Sequence, residues 1–112
     1  MSAIIELAQR LGKSIADSPQ AAALRAARKE LDSRPEIKKL LEDFQAQSEK
    51  LADLEQAKKP IEVADKHRLA ELQDKLVGEE VFKKFTAAQV EYVDLMRRVN
   101  ETLRKHMHAA ES

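Results

Sequence analysis

The sequence contains no cysteine and no tryptophan. Without thiols it can form no disulfide, thiolate metal site or cysteine nucleophile, which suits a reducing compartment. Only two glycines and three prolines occur in 112 residues, so few positions force a helix to break and no glycine-rich phosphate loop can be built. Three phenylalanines and one tyrosine are the whole aromatic complement, too little for the stacking platform of a single-strand nucleic-acid binder. Net charge is missing as well. Twenty Lys and Arg balance twenty Asp and Glu, leaving no overall field to draw in nucleic acid or an anionic membrane. The balance is also local, for residues 79–112 carry six basic and six acidic groups and no stretch reads as a basic arm. No apolar run approaches the roughly 20 residues of a membrane span. The opening Met1-Ser2-Ala3-Ile4-Ile5-Glu6 has neither a basic n-region nor a long apolar stretch, so no signal peptide is expected and the location implied is the cytoplasm.

What the sequence does have is charge and apolar side chains in helical alternation, 36% charged and 43% hydrophobic, a composition biased toward long helices. The length fits a single domain over residues 1–112. Apolar spacing and punctuation predict an all-α fold of about five helices. The first runs from about Ala3 to Ala16 and puts Ile4, Leu7 or Ala8, Leu11 and Ile15 on one face. Ser18-Pro19 restarts the chain, with Ser18 as N-cap and Pro19 at the first helical position. The second helix, roughly 19–31, is expected to bury Ala23, Leu24, Ala27 and Leu31. Ser33-Arg34-Pro35-Glu36 reads as a capping box opening a long third helix to about Ala57, with a seam of Ile37, Leu40, Leu41, Phe44, Leu51 and Leu54 interrupted at Gln47 and Ser48. Lys58-Lys59-Pro60 ends it. A fourth helix, about 61–77, carries Ile61, Leu69, Leu72 and Leu76, and Gly78 is expected as a left-handed C-cap. The short turn at 58–60 makes the third and fourth helices antiparallel neighbours in a long-helix hairpin or bundle.

From Glu79 the fifth helix shows the cleanest heptad: Phe82, Phe85, Gln89, Tyr92, Met96, Val99, Leu103 and His106 or Met107. Glu79 to Lys83, Glu80 to Lys84, Asp94 to Arg98 and Glu101 to Lys105 are spaced for ion pairs along its solvent face. A helix from 79 to about 108 is roughly 45 Å long at 1.5 Å per residue, more than a domain of this size covers, and the tail beyond about 108 is expected to fray. Phe82, Phe85, Tyr92, Met96, Val99 and Leu103 are therefore the candidate core or dimer seam. A second copy is the simplest cover for an exposed stripe, and a dimer is expected.

Candidates for chemistry are few. His67 lies among Asp65, Lys66, Arg68 and Glu71 and reads as an exposed helical histidine. His106 and His108 sit two residues apart, which on a helix points them in different directions, unlike the i,i+4 pair that shares a zinc. Glu42-Asp43 and Glu79-Glu80 read as solvated helix faces. No catalytic, cofactor or metal residues are nominated, and the protein is not expected to be an enzyme. The strongest local charge feature is Arg97, Arg98, Arg104 and Lys105, a candidate contact for an acidic partner or RNA phosphate. Cations near a helix C-terminus are favoured by the dipole in any case, and with no aromatics free to stack, direct nucleic-acid binding is the weaker of the two readings.

Three stretches in fixed order carry a family resemblance: Leu7-Ala8, Leu11-Gly12, Ile15-Ala16 and Ser18; then Leu40-Leu41-Glu42-Asp43-Phe44-Gln45; then Val81 and Phe85 leading to Val93, Leu95, Met96, Val99 and Asn100. The chain resembles the YlbF/YmcA family of small helical bacterial regulators over about residues 4–103. The resemblance implies an all-helical domain forming homodimers or mixed oligomers with related chains. It further implies a non-catalytic adaptor that serves as an accessory factor for RNase Y-type mRNA processing and affects competence, sporulation and biofilm formation. Some members are described as contributing cysteines to an iron–sulfur cluster; a chain without cysteine has no such ligand to offer. Where many relatives open the last helix with Asn-Pro, this one has Gly78-Glu79-Glu80. The rival reading is a helical chaperone-like or coiled-coil scaffold without a link to RNA processing.

Overall fold

Four short joints divide the chain into helices, and each is closed by backbone or side-chain hydrogen bonds. The computed structural model describes residues 2–109 as α1 (Ala3–Ala16), α2 (Pro19–Asp32), α3 (Pro35–Gln56), α4 (Val63–Val77) and α5 (Glu80–Ala109). No strand occurs among the described residues, so the all-α, five-helix expectation holds. At the first joint the Ser18 hydroxyl accepts from the Ala21 N–H at 3.1 Å and donates to the Ile15 carbonyl at 2.6 Å. It thus serves a free donor at the start of α2 and a free acceptor at the end of α1.

The second joint is made differently from the capping box. Ser33 Oγ donates back to the Glu30 carbonyl at 2.6 Å, and Glu36 accepts from Arg34 Nε at 2.8 Å. Residue 34, not 33, is the N-cap, with no side-chain cap bond and Pro35 in the first turn. The box pattern fails because it places the cap one residue too early: Ser33 is still bonded to the end of α2 through its N–H to Lys29 and Glu30. The Arg34 hydrogen bond holds the Glu36 carboxyl below its ordinary range, and the same bond raises the Arg34 guanidinium above its own.

The third joint is a Schellman turn: Lys59 N–H bonds to Leu54 O at 2.9 Å and Lys58 N–H to Glu55 O at 3.1 Å. The residue in the left-handed region is Lys58, at φ 58°. Gly78, the glycine expected in that role, is right-handed at φ −76° and ψ −11°, since α4 gives way directly to α5 through the Glu79 N–H to Leu76 O bond. The left-handed requirement thus falls on a lysine two residues before Pro60, while the glycine occupies a conformation open to any residue. The expected start of α4 near 61 moves to Val63, leaving Ile61 half-buried in the joint.

The chain forms two compact units, one of residues 1–28 with 85–112 and the other of 29–84. In the second unit α3 and α4 pack together. Gln47, one of the two polar interruptions of the α3 seam, donates to the Asp65 carbonyl at 3.0 Å, and Lys50 reaches the Asp65 carboxylate at 3.0 Å. The second half of α3 thus lies against the start of α4, as an antiparallel hairpin requires. Leu31, Ile37, Leu72, Leu76 and Val81 are buried there, each large side chain contributing about 1.5–3 kcal/mol by leaving water. Lys38 to Asp32 and Lys84 to Glu30 add ion pairs at 3.3 and 3.7 Å.

Among the described residues of the first unit, Ala21 and Ala27 are buried. Arg25 donates to the Ala16 carbonyl at 2.9 Å, and Arg28 lies 5.9 Å from the centroid of the Phe85 ring, within cation–π range. Ala23, expected inside, is exposed, and Leu24 is half-buried. The inward stripe of α2 steps back from Leu31 through Ala27 and Leu24 to Ala21, leaving Ala23 beyond its edge. α5 runs its full length to Ala109; the tail expected to fray lies outside the described residues.

Leu76→Ala is expected to lower the stability of the chain by about 2–5 kcal/mol in denaturant unfolding, since the buried site has little room to collapse. Lys58→Gly should act in the opposite sense, raising stability by about 1 kcal/mol, because glycine relieves the left-handed Cβ penalty.

Candidate functional site

α1 is strongly amphipathic, yet not one of its residues is buried. Leu11 and Ile15 are half-covered; one and two turns toward the N-terminus, Leu7 is 59% exposed and Ile4 76%. The apolar line of α5 behaves likewise. Phe85, Tyr92, Leu95, Met96 and Val99 are half-buried, whereas Leu103 is 46% and Met107 64% exposed. Phe82, the remaining member of the expected seam, is half-buried and belongs to the other unit. Cover therefore thins steadily along both helices of the first unit, although their sequence pattern does not change.

Where the cover thins, a groove of about 310 Å³ opens, lined by Leu11 of α1 and by Leu95, Arg98, Val99, Thr102 and Leu103 of α5. Its floor is apolar. Thr102 Oγ1 donates to the Arg98 carbonyl at 2.7 Å, so its hydroxyl proton is satisfied within the helix. Arg98 supplies the charge in the lining, and Lys105, seven residues on and exposed, lies along the same side of α5.

The four cations of the expected acidic-partner contact are thereby separated. Arg97 is held by Asp94 Oδ1 at 2.8 Å and by Glu101 Oε1 at 2.7 Å, and hydrogen bonds to these two carboxylates raise its guanidinium above the ordinary value. Arg98 faces the groove, while Arg104 and Lys105 are exposed. The ion pairs of α5 also differ from the expected ladder: Lys83 meets Glu80 at 3.4 Å and Lys84 crosses to Glu30 at 3.7 Å. A pattern of i,i+4 charges does not specify which of several near carboxylates a flexible side chain takes.

A second groove, of about 510 Å³, runs along α3 beside Ala46, Glu49, Lys50, Asp53, Leu54, Ala57 and Lys59. Its two acids and two bases cancel, and Lys50 is already paired with Asp65. His67, His106 and His108 are exposed. Asp43 pairs with Lys39 at 3.1 Å and Glu80 with Lys83. Among the described residues no three His, Asp or Glu side chains converge as a metal site. Leu11, Leu95 and Thr102 were not among the expected site residues. Leu95 stands four residues before Val99, and that spacing is the one sequence signal that pairs it with the seam.

An all-α chain with an apolar groove and long amphipathic helices has the kind of surface by which helical proteins contact other macromolecules. The profile of the family described as "Control of competence regulator ComK, YlbF/YmcA" matches residues 4–108, and the chain belongs to that family. Its general role is accordingly regulatory. No curated protein gives a significant match. Among the described residues no helix is long and apolar enough to cross a membrane.

Because Leu103 already stands largely in water, Leu103→Glu is expected to shift unfolding stability by no more than about 0.5 kcal/mol. Thermal unfolding followed by circular dichroism checks this, and a loss on the scale of Leu76→Ala would place Leu103 in the core.

Proposed function

We propose that residues 1–112 act as one regulatory adaptor domain that presents helical surfaces to other proteins in the cytoplasm, as an accessory factor for RNase Y-type mRNA processing. In this reading the chain assembles as a homodimer or with related helical chains. Of the seam, Phe82, Phe85, Tyr92, Met96 and Val99 serve chiefly as support within the chain, and Leu103 as contact. The chemistry is recognition and not catalysis.

The observation that carries the proposal is the uncovered apolar surface of α1 and the distal part of α5. Ile4, Leu7, Leu103 and Met107 are each 46–76% exposed at positions whose period is that of a buried face. Such a face is a liability in a solitary protein and a requirement in an adaptor. Family membership supports a regulatory use of it, and the ribonuclease link extends what that family resemblance implies.

Tagged protein recovered from native cell lysate is expected to carry ribonuclease subunits reproducibly, and to lose them in Leu103→Glu. A broad spread of unfolded clients in their place would overturn the adaptor reading in favour of a chaperone-like scaffold.

A further inference from the structure

We infer that the first part of α1 is a latch: residues 3–12 come away from α5 in a local opening while the rest of the chain stays folded, and the opening uncovers the apolar line of α5. The inference deepens the adaptor reading by giving its surface a control, and rests on that reading only for what the opening admits.

Little holds this part of the helix in place. Every residue from Ala3 to Arg10 is exposed, and Leu11 is the first of α1 to be half-buried. A helix of 14 residues is marginal in water by itself, and most helical stability in proteins comes from a packed face, which these turns lack. Their end is uncapped as well: Ser2, at the N-cap, makes no side-chain hydrogen bond to the first turn. The second unit is the contrast, with Leu31, Ile37, Leu72 and Leu76 fully buried. Segments with few buried apolar contacts open at lower free energy than a packed core.

The other end of α1 is tied. The Ser18 hydroxyl donates to the Ile15 carbonyl at 2.6 Å, Arg25 donates to the Ala16 carbonyl at 2.9 Å, and Ile15 is half-buried. Between the loose turns and the tied one stands Gly12. A glycine inside a helix lets it open about fivefold more readily than an alanine does. Nothing in the fold requires this one, because a Cβ added there would meet nothing within 4 Å. The helix is therefore weakest at the place where its anchorage ends.

Leu11, on the loose side of Gly12, is the α1 residue that lines the groove with Leu95, Val99 and Leu103 of α5. Opening as far as Gly12 withdraws Leu11 and leaves the half-buried Leu95 and Val99 open to solvent beside Leu103. α1 is thus an internal competitor for the α5 line, and a partner that binds this line gains access in proportion to the open fraction.

The test is hydrogen exchange of the full chain followed by NMR. Backbone N–H groups of residues 7–11 are expected to exchange about a hundredfold faster than those of residues 69–76 in α4. Gly12→Ala should slow exchange at 7–11 about fivefold and leave 69–76 unchanged. Leu76→Ala should do the reverse, speeding exchange at 69–76 while 7–11 keep their rate. Since the chain has no cysteine, Val99→Cys places a single thiol in the groove, and adding Gly12→Ala should slow its alkylation about fivefold. Circular dichroism confirms that each variant is folded.

Equal protection of 7–11 and 69–76 would overturn the inference, because α1 would then open only with the whole chain. So would exchange at 7–11, or alkylation of the thiol, that is indifferent to Gly12→Ala. Protection of 7–11 that falls on dilution would overturn it too, since a second copy would then be what holds the helix. Capture of ribonuclease subunits from lysate is read separately, so the latch and the adaptor role fail independently.

Discussion

The burial of Leu31, Ile37, Leu72 and Leu76 is the constraint on which the second unit depends. These four are the largest fully buried side chains in the described structure, contributed by the end of α2, the start of α3 and the C-terminal half of α4. The joints around them are correspondingly tight. Arg34 and Glu36 bond each other at the mouth of α3, Gln47 and Lys50 hold the far end of the α3–α4 pair, and the turn at Lys58 accepts a left-handed lysine so that Leu54 and Glu55 keep their carbonyl partners. A conformational cost in one residue is tolerable where it satisfies two helix-end acceptors and permits the antiparallel return.

Among the described residues of the first unit there is no comparable cluster, and Ala21 and Ala27 are the buried ones. Small side chains let backbones approach but remove little apolar surface from water. The amphipathic faces of α1 and the distal part of α5 therefore stay half-covered or exposed, and the groove follows from that shortage. Recognition surfaces in helical proteins arise in this way: the same period that builds a core builds a docking face wherever the chain runs out of its own helices to cover it.

Much of the architecture was legible in the residues. Ser18-Pro19 marks a helix start because a hydroxyl and a missing N–H suit the first turn, and Pro60 marks a stop because of the restraint it puts on its predecessor. The α3–α4 hairpin follows from the brevity of that turn. The misreadings have a common cause. Ser33 satisfies a capping motif yet bonds to the helix behind it; Gly78 satisfies a terminator motif yet stays right-handed; Lys84 has an acid four residues away yet crosses to Glu30. In each case the local pattern allowed more than one partner: Ser33 and the turn after Leu76 take ones within four residues, and Lys84 takes one on another helix.

By itself the sequence determined that the chain is helical, where its helices begin and end to within a residue or two, and which face of each is apolar. Those properties depend on period, capping and proline, all of which act over a few residues. Tertiary structure alone decided which apolar faces are covered, that Arg98 lines a groove, and that Leu11 lies beside Leu95 and Leu103. Burial and ion pairing depend on which segments meet, and residues more than eighty positions apart meet only in the folded chain.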